Sequence, residues 1–228
     1  MNLALKLFYQ NKKANQLLLF YGIYCLSLLL VRAKLTHSVY LFFLIWNLFL
    51  AFVPYGISSY LLTLDLKKTS KFKILFISAV WLAFIPNAFY IITDLIHLAN
   101  SEGNLFWLDL IIVSSYALIG FAFGLLSLLH FEKIIRQYIT IKTVDFIIPT
   151  ISILCGFGIY IGRIMRYNSW DIISNPIDLA FDLFQMAISI KAILFSLHFG
   201  VFIYFSFLIK KNLISNNHNH GNTTHYQN

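Results

Sequence analysis

Asn87, Tyr90, Asp94 and His97 stand in the largely apolar stretch 81–97 at intervals of three, four and three. On an α-helix that spacing puts all four on one face. A carboxylate and an imidazole one turn apart have two chemistries open to them. They can ligate a divalent metal, as carboxylate-x-x-His pairs do in helical bundles, or Asp94 can hold His97 as a general base. The plainer reading ends the helix at Asp94 in the wet interface and pairs it with an arginine. Two ligands do not complete a metal site, so metal and cofactor both stay open. Glu102 and Asp109 follow along the chain and add carboxylates near the same end. Asp94, His97 and Asp109 are therefore the candidate catalytic residues.

A second polar group lies in 162–176. Arg163 and Arg166 are one turn apart and are followed by Asn168, Ser169, Trp170 and Asp171. Guanidinium groups bind phosphate or carboxylate in a forked geometry. Arg163, Arg166, Asn168, Trp170 and Asp171 are thus the candidate site for an anionic lipid headgroup or lipid-linked ligand. The alternative is that the arginines neutralise Asp94, Asp109 and Asp171. Tyr167 and Trp170 also suit an interfacial anchoring role. After Ser174-Asn175-Pro176, a good helix start, residues 177–190 carry Asp178, Asp182, Gln185 and Ser189 at intervals of four, three and four. This is an amphipathic helix, either flat on the membrane surface or extending the last span.

The elements that position these groups are apolar runs. Hydrophobic residues make up 59% of the 228 and charged residues 11%, against about 25% charged in a soluble domain. Six runs approach the roughly 20 residues that cross hydrocarbon: 16–31, 39–64, 74–98, 107–130, 144–164 and 186–209. The expected fold is an all-α, polytopic transmembrane bundle, with a single membrane domain over 1–211. Residues 212–228 read as a polar, disordered tail, in which His218, His220 and His225 are solvated.

Charge sets the expected orientation. Lys6, Lys12, Lys13, Lys67, Lys68, Lys71, Lys73, Lys133, Arg136, Lys142, Lys210 and Lys211 fall on one side of the spans; Arg32, Lys34, Arg163, Arg166 and Lys191 fall on the other. The excess puts both termini in the cytoplasm of an inner (plasma) membrane. The net charge of +8 therefore serves topology and anionic lipid, notably in the basic loop 131–143, and no nucleic-acid partner is expected. Lys6, Lys12 and Lys13 before an apolar run look like a secretion signal, but no small-residue cleavage pattern follows, so an uncleaved first span is expected.

Packing signals run through the spans. Gly120-x-x-x-Gly124 and Gly158-x-x-x-Gly162 permit close helix approach. Pro54 and Pro86 each remove a backbone hydrogen bond inside a span and kink it. In lipid such a kink must face protein or trapped water, which makes Pro86, Asn87 and Tyr90 a helix break lined by polar groups. Cys25 and Cys155 sit in apolar surroundings as buried thiols.

The segments 84–98 and 158–176 resemble the signature stretches of a bacterial family of predicted membrane proteins, domain of unknown function 1361. The resemblance covers the chain from about the second span to the sixth; Phe89 stands where many members have proline. It implies a polytopic membrane protein and brings no activity with it. Three function classes follow: an outer-face enzyme acting on a lipid or lipid-linked anion, a small-anion transporter with a broken-helix site, and an accessory or structural subunit.

Overall fold

Backbone groups in lipid have no water to bond, so a long apolar stretch pairs with itself as a helix. The computed structural model describes residues 12–100, 105–164 and 189–223, and among these it contains helices and no strand. α1 spans Lys12–Thr36. A 3₁₀ turn, Tyr40–Phe42, leads into α2, Phe43–Thr63. α3 covers Lys71–Tyr90, α4 Phe106–Ile135, α5 Ile141–Ile164 and α6 Ile190–Thr223. Among the described residues, six helices are long and apolar enough to cross a membrane. The chain is an all-α multi-pass bundle, as its composition implies.

Contacts between helix ends show the up-and-down order. The end of α1 is tied to the start of α4, and the start of α2 to the end of α3. The ends of α3 and α5 meet, as do those of α4 and α6. The bundle thus has an arginine end, where Arg32 and Arg163 lie, and a lysine end, where Lys12, Lys71 and Lys211 lie. α4 is the most buried span and α1 the least. One apolar core joins α3, α4, α5 and α6 through Trp81, Phe89, Leu128, Ile148 and Ile203. A second joins α1 and α2 to the other flank of α4 through Leu29, Leu44, Ile112 and Tyr116.

α3 departs from the continuous span expected over 74–98. Its α-helix stops at Tyr90 and continues as a 3₁₀ helix, Ile91–Asn100, well beyond the three or four residues usual for that form. Pro86 lies about one turn before the change and leaves the Leu82 carbonyl without its helical donor. Close neighbours hold the tighter helix in place. A methyl group added at Gly120 would collide with Ile91, at Gly124 with the Phe89 ring, and at Gly158 with Pro86. The α4 glycine pair therefore packs on α3. Close approach of α5 and α6 uses Gly156 against the Ser196 backbone and Gly200 against Ile153.

The last helix runs on to Thr223, through most of the stretch whose composition suggested disorder. Its start at Ile190 leaves 177–188, most of the expected amphipathic helix, outside the described residues.

Candidate functional site

The change to three residues per turn decides who meets whom on the polar stripe. In a 3₁₀ helix residues i and i+3 eclipse, so Ile91, Asp94 and His97 form one row and Tyr90, Thr93 and Ile96 the next. Arg163, brought in on α5 by the contact of Gly158 with Pro86, reaches both rows. Its Nη2 donates to Asp94 Oδ1 at 2.7 Å and its Nε to Thr93 Oγ1 at 2.9 Å. Its guanidinium carbon lies 4.7 Å from the centre of the Tyr90 ring, a cation–π contact. The other carboxylate oxygen of Asp94 accepts from Asn47 Nδ2 of α2 at 2.7 Å. Asp94 is 1% exposed.

His97 completes the group from its partly exposed side. Arg163 Nη1 stands 3.5 Å from its Nε2 and the Tyr40 hydroxyl 3.3 Å from its Nδ1. A guanidinium can only donate. Arg163 can therefore only donate toward Nε2, while Tyr40 can donate to or accept from Nδ1. Phe43 packs on the ring, centroid to centroid at 4.7 Å.

Asp109, expected beside Asp94, is held by a different arginine. Arg32 Nε and Nη2 donate to its two oxygens at 2.7 and 3.1 Å. Both side chains are buried, at 10% and 3% exposure. Arg32 Nη1 is also buried and has no hydrogen-bond partner among the described residues. This pair fastens the end of α1 to the start of α4.

Deeper in the bundle lies a polar knot around the Pro54 kink. Trp81 Nε1 donates to Ser127 Oγ at 2.8 Å, and Ser127 reaches the Pro54 carbonyl at 2.9 Å and Ser58 Oγ at 3.1 Å. Pro54 itself is buried, so this part of α2 faces protein, as a proline inside a membrane helix requires. Nearer the lysine end, His130 Nδ1 stands 3.3 Å from Ser59 Oγ and 3.4 Å from Ser58 Oγ, with the Tyr55 ring stacked on it at 5.4 Å. One turn on, Glu132 accepts from Arg136 at 2.7 Å and from Lys211 at 2.6 Å.

Of the candidate residues, the structure brings together Tyr90, Asp94, His97 and Arg163. Asn87 turns its amide onto the Phe84 carbonyl. Arg166, Asn168, Trp170 and Asp171 lie outside the described residues. Among the described residues no three His, Cys, Asp or Glu side chains converge as a metal group. Sequence reasoning missed Arg32, Tyr40, Asn47 and Thr93. The signal was present for two of them: Asn47 is an amide in the apolar run of α2, and Arg32 a cation at the end of an apolar span.

The profile of a family described as "Protein of unknown function (DUF1361)" matches residues 46–206, which include Asn47, Asp94, Asp109 and Arg163. The chain belongs to that family. No curated protein and no solved structure matches it.

Proposed function

For a member of that family built in this way, we propose an accessory or structural role in the membrane. Its buried ion pairs hold the bundle in one arrangement, and Asp94, His97 and Asp109 are not catalytic groups. One observation carries the reading: Asp94 is 1% exposed and both its oxygens are engaged, by Arg163 and by Asn47. A carboxylate that acts as base or metal ligand must be within reach of its substrate, and Asp94 is closed off by its partners. An enzyme acting on a lipid-linked anion would also need arginines for the headgroup, and the two described arginines at that end, Arg32 and Arg163, hold Asp109 and Asp94. A carrier for small anions needs a continuous polar path from Asn87 to the lysine end; on α3 that way lie the fully buried Ile85 and Trp81, and the one polar atom of the Trp81 side chain is bound to Ser127.

The test is a pair of single substitutions, Asp94→Asn and Arg163→Gln, and their combination. Each single variant should lower the melting temperature in detergent, and the double variant by less than the sum, because each single change leaves a buried partner uncompensated. Complementation of a deletion strain should follow the amount of folded protein. A stably folded Asp94→Asn protein that fails to complement would overturn the reading in favour of the enzyme.

The same proposal places the chain in a bacterial-type inner membrane with both termini cytoplasmic. Support comes from side-chain exposure: Lys13, Lys67, Lys68, Lys71 and Lys142 are exposed at the lysine end, while Arg32 and Arg163 are drawn into ion pairs at the other. A membrane-impermeant maleimide applied to spheroplasts should label Ser38→Cys and spare Lys68→Cys; the opposite pattern inverts the topology.

A further inference from the structure

α1 packs chiefly on α4, and between α1 and α2 a lateral groove of about 670 Å³ opens at the bundle surface. Its floor is α4, at Tyr116, Ile119 and Phe123, and its walls are almost wholly apolar. The volume lies within the ~300–1,000 Å³ of ordinary ligand sites.

Three features say what fits. The first is length. On α1 the groove extends from Asn15 to Leu26, about 17 Å at roughly 1.5 Å per residue. That is close to half of the ~30 Å hydrocarbon core, the depth of one leaflet. The second is polarity confined to one end. Asn15, Tyr55 and Ser59 line the groove at the lysine end, where the Tyr55 hydroxyl donates to Asn15 Oδ1. Lys13, two residues before Asn15 and not itself a lining residue, is exposed at the same end. The third is the use of glycine. Gly22 and Gly56 line opposite walls, and a Cβ added at either would meet nothing nearer than 3.7 Å. These glycines do not bring helices together; they leave space.

We propose that this groove binds one acyl chain of an anionic phospholipid drawn from the leaflet at the lysine end, with its headgroup at Asn15, Tyr55 and Lys13. The occupant is a lipid and not a helix of a second protein, because the groove is one leaflet deep with a polar terminus, whereas a helix would need a face of full membrane length. This goes beyond the proposed accessory role and does not depend on the Asp94 cluster.

The test uses the full chain in vesicles of phosphatidylglycerol and phosphatidylcholine doped with a phosphatidylglycerol carrying a diazirine in its acyl chain. Cross-links mapped by mass spectrometry should concentrate on groove residues such as Leu19, Leu48 and Phe52. Gly56→Leu, which fills the groove, should cut the yield there at least fivefold while leaving the melting temperature near wild type. Gly22→Leu gives an independent second filling should Gly56→Leu fail to fold. Leu118→Phe, at a site 62% exposed on α4 and not among the lining residues, should change nothing. Lys13→Gln should reduce the preference for the phosphatidylglycerol probe over a phosphatidylcholine probe. Cross-links spread evenly over exposed α1 positions, and indifferent to both fillings, mean ordinary boundary lipid and overturn the proposal. Chain-to-chain cross-links through the groove in place of lipid also overturn it. Neither result touches the ion-pair reading, which stands or falls on the Asp94 and Arg163 variants.

Discussion

The two flanks of α4 use the same residue types to opposite ends. Toward α3, α5 and α6 the glycines are contact points: Gly120, Gly124, Gly156, Gly158 and Gly200 each face a neighbour that a methyl group would strike. Toward α1 and α2, Gly22 and Gly56 leave room for a methyl group, whose nearest neighbour would stand at 3.7 Å. Each flank also has one buried arginine–aspartate pair at the arginine end, but the pairs differ in weight. Asp94–Arg163 sits within a shell of Asn47, Thr93, Tyr90 and His97, on a flank that is closely packed throughout. Arg32–Asp109 fastens a helix that is otherwise the least buried of the six. The packed flank is joined at many points, whereas α1 is held by that ion pair, by the Tyr55–Asn15 hydrogen bond and by one apolar stripe. In lipid, where apolar contact between helices competes with equally apolar tails, that distinction sets which part can move.

The native cysteines report on each flank separately. Cys25 is buried on α1 and Cys155 on α5. The largest expected effect comes from Asp109→Ala, which leaves the buried Arg32 without its carboxylate. Loss of one partner of such a pair costs about 3–5 kcal/mol, here confined to α1. A small membrane-permeant thiol reagent should then modify Cys25 much faster while Cys155 stays slow. Equal acceleration of both thiols would mean that the flanks unfold together and would dissolve the comparison.

Next in size is Gly156→Ala, which drives a methyl group into the Ser196 backbone. Overpacking of this kind costs about 1–3 kcal/mol, seen as a lower melting temperature and faster labelling of Cys155 in preference to Cys25. Trp81→Phe keeps the stacking on Phe131 at 3.9 Å and removes the bond to Ser127. Single hydrogen bonds between membrane helices average about 0.6 kcal/mol, so a small loss is expected. A loss above about 2 kcal/mol would show that the Ser127–Ser58–Pro54 knot acts as a unit.

The smallest effect belongs to Gly56→Ala. With room for the methyl group and the usual helix preference of alanine over glycine by about 0.5–1 kcal/mol, stability should stay level or rise. A clear loss there would mean that Gly56 is a packing glycine after all, and the two flanks would no longer differ.

Much of the architecture was legible in the residues. Runs of Leu, Ile, Phe and Val marked six spans within a few positions of the observed helices, because spanning length and apolarity are local properties of the chain. The contact of Gly120 and Gly124 with α3 was foreshadowed by their spacing. The break in α3 was legible only in part: Pro86 announced a kink, but not ten residues of 3₁₀ helix, which depend on the space that the glycines of α4 and α5 leave for Ile91, Phe89 and Pro86. Thr93, three residues after Tyr90 and four before His97, borders the polar stripe on an α-helical wheel as well, and the 3₁₀ winding puts it in one row with Tyr90.

Pairing was the least legible. Asp94 and Asp109 looked like two parts of one site, and each is bound to its own arginine, one on α5 and one on α1. Periodicity tells which face of a helix is polar, not which neighbour that face meets. Composition and spacing by themselves thus determined that the chain lies in a membrane, how many times it crosses, and which polar residues needed a protein neighbour. Tertiary structure alone decided which arginine neutralises which carboxylate, how the end of α3 winds, and that a groove remains beside α1. A charge pair, a strained turn and an empty space each depend on distances between helices far apart in the chain, and nothing local encodes those distances.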